Sequence, residues 1–135
     1  MRYLLDTNVL SEFSRPQPDP LVTGWVLRQP HGDLAVSSIS VGEIQKGVLL
    51  LPPGKRRAVL ARWLDEWLMG EFLNRSIPVD VPIGREWGRS LAESIQAGRA
   101  LSFADGVLLA TAKIRQLVVV TRNERDFPRP RGRCP

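Results

Sequence analysis

Cysteine and histidine are almost missing from this chain of 135 residues: each occurs once, as Cys134 and His31. One thiol cannot build a disulfide framework, so a reducing cytoplasm is the expected setting. The lone imidazole lies in a proline–glycine turn, which leaves Ser–His–Asp and Cys–His catalysis without a proton carrier. No apolar run approaches the roughly 18 residues of a membrane helix. The apolar N-terminal stretch is cut at Asp6, so no signal peptide is expected either. Negative charge is the scarcer sign, with 14 acids against 19 bases and a net charge of +5. Sixteen of the bases are arginine, which pairs bidentately with phosphate. That excess fits a nucleic-acid partner, and it fits an arginine-rich genome equally well.

What is present suffices for a folded domain. The chain is 43% hydrophobic, its length suits one domain over 1–135, and neither a linker nor an internal repeat is visible. Residues 2–6 read as a short buried strand and 8–15 as a first helical segment, broken by Pro16, Pro18 and Pro20. Asp19-Pro20 supplies an N-cap and a first-turn proline for a helix to about Arg28. A turn at Gly32-Asp33 leads to a second strand over 34–38 and a helix from Val41 to about Leu51. The spacing of Val59, Leu60, Trp63, Leu64, Trp67, Leu68 and Phe72 predicts one helix over 55–74, and Trp25, Trp63 and Trp67 read as core. A third strand is expected over 76–81. A helix from Pro82 to about Ala97 follows, closed by Gly98, then a helix from Ser102 to Gln116 and a fourth strand over 117–121. Strands alternate with helices and are continuously apolar. That pattern predicts an α/β fold whose parallel sheet is covered on both faces.

In such a sheet the working site lies outside the carboxyl ends of the strands. Asp6 follows the first strand. Glu43 is expected in the first turn of the helix after the second, and Asp105 in the first turn of the helix before the fourth. Asn123 and Asp126 follow that fourth strand. Taken singly, each acid has a plain structural account. Ser40-x-x-Glu43 and Ser102-x-x-Asp105 match a capping box or its acidic variant, Asp6 can cap the helix behind it, and Asp126 can be a solvated turn residue. Capping does not explain why all share one edge. Gathered carboxylates repel and stay ionised only with a cation among them, and hard oxygen donors suit Mg²⁺ or Mn²⁺ rather than zinc.

The segments LLDTNVLSE, SSISVGEIQKGV, SFADGVLLATAK and VVVTRNERDF stand in the order expected of a PIN domain. Over nearly its whole length the chain resembles the VapC toxin branch of that family, in the FitB style. The resemblance implies a three-layer α/β/α fold with a mainly parallel four- or five-stranded sheet and an acidic site at its carboxyl edge. It implies a Mg²⁺-dependent endoribonuclease, the toxin of a type II toxin–antitoxin system. Asp6, Glu43 and Asp105 are then the catalytic acids, with Asp6 and Asp105 as metal ligands. The fourth place falls to Asp126, folding back past a turn, or to Asn123. The tail departs from the family in lacking an apolar final strand. A homodimer is implied, with a VapB-like or FitA-like antitoxin whose C-terminal segment covers the site.

Around a metal-bound water, Asp105 or Glu43 would orient the nucleophile, and Thr7, Asn8, Thr121 and Asn123 would supply hydrogen bonds. Arg122, Arg125, Arg129, Arg131 and Arg133, five of the last fourteen residues, are expected to hold the RNA backbone. Two rival readings conflict with particular residues. A haloacid-dehalogenase-type phosphatase needs a second Asp two positions after the first, where this chain has Asn8. A non-catalytic nucleic-acid-binding or scaffold module conflicts with the intact acids, because central negative charge without metal repels phosphate.

Overall fold

The computed structural model describes residues 1–122. Its strands are β1 (Tyr3–Leu5), β2 (Leu34–Ser37), β3 (Ser76–Ile77) and β4 (Val118–Val120). They form a four-stranded sheet in the order β3-β2-β1-β4, and every pairing is parallel. The helices are α1 (Thr7–Glu12), α2 (Pro20–Arg28), α3 (Ser38–Leu50), α4 (Lys55–Arg62), α5 (Met69–Phe72), α6 (Val81–Gln96) and α7 (Phe103–Arg115). None is long and apolar enough to cross a membrane. A fifth strand, had the tail formed one, would lie outside the described residues, as do Cys134 and the arginines after Arg122.

The strand alternation divides the interior into two cores. Leu5, Leu34, Val36 and Val120 face one side, where they pack with Val9, Leu10, Val26, Ile44, Leu64, Leu68 and Phe72. Leu4, Ala35, Ile77 and Val119 face the other, with Ile83, Val107, Leu108 and Ala110. The sheet therefore separates α1–α5 from α6–α7, the three layers expected. Leu4, Leu10, Leu68 and Leu108 are fully buried, so truncating any of them to alanine costs about 2–5 kcal/mol. Trp25, Trp63 and Trp67 pack against the first core as read from the sequence.

Most expected boundaries hold within a residue or two; the first helical segment, expected over 8–15, spans Thr7–Glu12, and three further differences have identifiable reasons. The helix expected from Val41 begins at Ser38, because Ser37 rather than Ser40 caps it by accepting the Ile39 amide at 3.1 Å. No breaker separates β2 from α3, so the chain passes directly from strand to helix. The single helix expected over 55–74 contains a widened π turn at Trp63–Leu68. This turn buries Leu64 and Leu68 while Trp63 and Trp67 stack at the core's rim, with centroids 5.7 Å apart, and Phe13 adds a third ring at 4.9 Å from Trp67. The third strand spans only Ser76–Ile77, since Pro78 lacks an N–H for a ladder and Asp80 already serves as N-cap of α6, accepting the Ile83 amide at 3.1 Å.

α6 and α7 are the most extensively packed helix pair, and a charge cluster ties them. Glu86 on α6 accepts from Arg89 at 2.6 Å and Ser90 at 2.7 Å, and Lys113 on α7 lies 3.3 Å away. These donors, Arg89 first, hold the Glu86 carboxyl down at about 2, against an ordinary 4.5. A lowered folded-state pKa stabilises the fold above the unfolded value, and that gain fades as pH falls through the folded value. Glu86→Gln should therefore melt below the wild type at pH 7, and the difference should close as pH drops from 4.5 toward 2. A melting difference independent of pH over that range rules out this origin.

Candidate active site

Register places the site. Leu5 on β1 stands opposite Val120 on β4, and the Asp6 amide donates to the Val120 carbonyl at 2.9 Å. The next residues of both strands, Asp6 and Thr121, therefore emerge side by side at the carboxyl edge. Both are buried, Asp6 at 6% and Thr121 at 1% exposure. Thr121 Oγ1 donates to Asp6 Oδ2 at 2.7 Å, and the Thr7 amide donates to Asp6 Oδ1 at 2.7 Å. Asp6 thus caps α1 while also facing the edge.

The partners of Thr7 define a second arm. Its hydroxyl donates to Glu43 Oε1 at 2.7 Å and stands 3.0 Å from Ser40 Oγ. With the single Thr7 hydrogen committed to the carboxylate, the Ser40 hydroxyl is left to donate to Thr7. Ser40 is fully buried and belongs to this network rather than to a capping box. Glu43 accordingly lies in the second turn of α3, not the first. Its role as a cap is excluded, and its place beside the Asp6 strand end stands.

Asp105 arrives from the opposite face of the sheet. It is in the first turn of α7, whose cap is Ser102 Oγ, accepting the Asp105 amide at 3.2 Å. This half of the expected capping box is present. Gly106 follows because α6 comes close: a Cβ there would stand 3.0 Å from Trp87 Cδ1 and 3.1 Å from Nε1. Asp105 is close enough for its charge to act on Asp6. Burial, above all, pushes the Asp6 carboxyl above its ordinary 3.8, the bonds from Thr121 and Thr7 oppose this, and the charges of Asp105 and Glu43 add to the rise.

Asp6, Thr7, Glu43, Asp105 and Thr121 are therefore brought together. Asn8 sits at the margin, where its Oδ1 accepts the Arg122 amide at 3.4 Å. Arg122 points its guanidinium at Glu12 and Asp19. Asn123, Asp126, Arg125, Arg129, Arg131 and Arg133 lie outside the described residues. His31 is exposed and faces Glu71 at 3.7 Å. Sequence reasoning missed Ser40 as a site residue and Glu12 as a buried acid, for which TNVLSE carries no local signal.

Among the described residues no three acids, histidines or cysteines stand close enough to hold a metal ion unaided. The donor set nevertheless fits a hard cation. It consists of carboxylate and hydroxyl oxygens around a carboxylate kept in acidic company, and Mg²⁺ is commonly held by one or two carboxylates with water and substrate phosphate completing the shell.

The PIN domain family model matches residues 3–132. Toxin FitB of Neisseria gonorrhoeae is 37% identical over 124 residues, which cover 92% of this chain and 89% of FitB. The VapC ribonuclease Y4jK of Sinorhizobium fredii is 32% identical over the same shares of the two chains. The crystal structure of FitAcB from Neisseria gonorrhoeae superposes with a TM-score of 0.84 at 37% identity, covering 93% of this chain and 90% of that one.

The raised Asp6 pKa has a consequence for stability. A carboxyl with a higher pKa in the folded state destabilises the fold once pH exceeds that value, and the penalty disappears as pH falls toward the unfolded 3.8. In chelator at pH 7, Asp6→Asn should melt above the wild type, and its advantage should shrink as the pH is lowered. An equal or lower melting temperature at pH 7 contradicts this account.

Proposed function

The chain belongs to the PIN-domain family, and from that premise we propose that it is a metal-dependent ribonuclease, the toxin of a toxin–antitoxin pair, hydrolysing phosphodiester bonds in RNA. The observation that carries the reading is the buried Asp6 carboxylate, whose proton affinity rises with burial and with the charges of Asp105 and Glu43. Such a site relieves its repulsion by taking a proton or a cation, and near pH 7 a divalent cation does both electrostatic jobs at once. The names of relatives point the same way, since FitB is a toxin and its Sinorhizobium counterpart a ribonuclease.

Asp6 and Asp105 would hold Mg²⁺ or Mn²⁺. The ion supplies a more acidic bound water and offsets charge on the phosphate oxygens. The chain's own residues do the positioning. Thr121 and Thr7 hold the two Asp6 oxygens in one orientation. The Thr7 hydroxyl fixes one oxygen of Glu43, leaving the other to orient a water or take its proton. Asp126 or Asn123 would supply the fourth position, and Arg125 and Arg129 would contact RNA phosphates. A homodimer, a VapB-like or FitA-like antitoxin and a cytoplasmic setting complete the reading.

Purified, antitoxin-free protein should cleave RNA only when Mg²⁺ or Mn²⁺ is added. Asp6→Asn should abolish cleavage, and Glu43→Gln should lower it by about 100-fold or more. Calorimetry should show Mn²⁺ binding to the wild type and a large loss in Asp6→Asn. Metal-independent cleavage, or cleavage untouched by Asp6→Asn, refutes the mechanism; RNA binding without any cleavage favours the non-catalytic module. Neutralising Arg125 and Arg129 together should weaken RNA binding and flatten its salt dependence, whereas an unchanged slope removes them from the interface.

A further inference from the structure

Among the described residues, Glu12 is the one buried acid that the chemistry above leaves unused. It is the last residue of α1, and only 1% of it is exposed. An acid at a helix C-terminus opposes the helix dipole, and burying a carboxylate carries a further penalty. Both are offset here by partners remote in sequence. Glu12 Oε1 accepts from the Arg122 guanidinium, and Oε2 accepts the Asp19 amide at 2.8 Å. Arg15 stands 3.7 Å from Oε1, and the second Arg122 nitrogen lies 3.7 Å from Asp19 Oδ2. The pair is only half-buried, with the Arg122 side chain 33% exposed against 1% for Glu12, and a solvent-screened pair adds little net stability, so what it positions matters more than what it stabilises.

What it positions is Arg122, and through it the end of β4. The Arg122 amide donates to Asn8 Oδ1 at 3.4 Å, and its side chain pairs with Glu12. Those two acceptors stand four residues apart, one turn of α1, so the helix grips residue 122 at two points. Residue 121 is its chain neighbour, and Thr121 Oγ1 donates to Asp6 Oδ2 at 2.7 Å. Asp6 in turn caps the same helix through the Thr7 amide at 2.7 Å. The contacts close a ring: Asp6 to α1, α1 through Glu12 to Arg122, Arg122 to Thr121, and Thr121 back to Asp6.

We propose that Glu12 is a positioning residue which, by clasping Arg122, sets Thr121 and so fixes the orientation of the Asp6 carboxylate. Its consequence for cleavage rests on the ribonuclease reading. Arg122, expected from the sequence to hold RNA, serves in this arrangement as the pin of the ring.

The test compares Glu12→Gln, Arg122→Ala and Arg122→Lys with the wild type, each well below its melting temperature. Three quantities are read: hydrogen exchange at the Thr7 amide, Mn²⁺ affinity by calorimetry, and kcat and KM for RNA cleavage. In Glu12→Gln the Thr7 amide should exchange faster, Mn²⁺ affinity should fall about 10- to 100-fold, and kcat should drop with KM little changed. Arg122→Lys, which keeps a cation for Glu12, should recover part of what Arg122→Ala loses. A lowered melting temperature with wild-type Thr7 exchange, Mn²⁺ affinity and kcat would make Glu12 structural only and overturn the proposal. Should Glu12→Gln fail to fold, the two Arg122 variants decide, and equal Thr7 exchange in both overturns it. If the wild type neither binds Mn²⁺ nor cleaves RNA, the ribonuclease reading falls, and Thr7 exchange in Glu12→Gln still judges the clasp.

Discussion

A carboxylate buried at the end of a strand constrains the rest of this molecule. Asp6 gives up most of its water at the end of the central strand, and two donors from different elements replace part of what it loses. The Thr121 hydroxyl reaches it only because β4 pairs with β1 in the register that sets Leu5 against Val120. The Thr7 amide reaches it only because a helix starts at once after the strand. A one-residue slip in the β1–β4 register would turn Thr121 to the opposite face and leave Asp6 Oδ2 with no donor from that strand. The sheet order, the abrupt strand-to-helix turn and the hydroxyl at 121 thus answer to one electrostatic requirement. A carboxylate has about four acceptor positions, and two neutral donors neither fill them nor cancel the charge. The remaining demand is what a cation would meet.

The three acids reach this edge by different routes. Asp6 comes from the strand itself. Glu43 is carried on α3, which packs into the core shared with α1, and Asp105 on α7, which packs into the core on the opposite face. The site therefore straddles the sheet, and the separation of its acids depends on how both helical layers seat. On one side the Thr7 hydroxyl links the Asp6 turn to Glu43 directly. On the other, α7 is set by apolar packing, by the close approach of Trp87 to Gly106 and by the Glu86–Lys113 tie to α6. Asp105 is thus held by a different layer from Glu43, with Asp6 between them on the sheet.

The sequence disclosed more of this architecture than of its joints. Alternating apolar strands and periodic helices foretold a parallel sheet with two covered faces. The positions of Asp6, Glu43 and Asp105 after or beside strand ends foretold their convergence. Both signals are local, carried by period and by adjacency in the chain. What stayed hidden was long-range. Ser37 and Ser40 look alike as caps, and only the position of Thr7, thirty-three residues before Ser40, decides that Ser40 turns inward. The π turn at Trp63–Leu68 keeps the same apolar residues as an α-helix would, so periodicity could not expose it. Glu12 reads as the polar face of a short helix, because its burial is produced by Asp19 and by Arg122, 110 residues away.

This difference between local and long-range information bears on how the site tolerates change. A ligand read from a motif is a single side chain, and its loss removes one donor from the centre. A ring such as Asp6–α1–Glu12–Arg122–Thr121 is a shared geometry, and its members touch the centre only through one another. Residues in one hydrogen-bonded network couple, so their substitutions do not add. The ring joins β1 to the end of β4, bringing chain positions at the two extremes of the described residues into contact. The backbone leaves this ring at Arg122, immediately before Asn123 and Asp126 in sequence. Asn123 therefore follows in sequence a residue that α1 holds at Asn8 and Glu12.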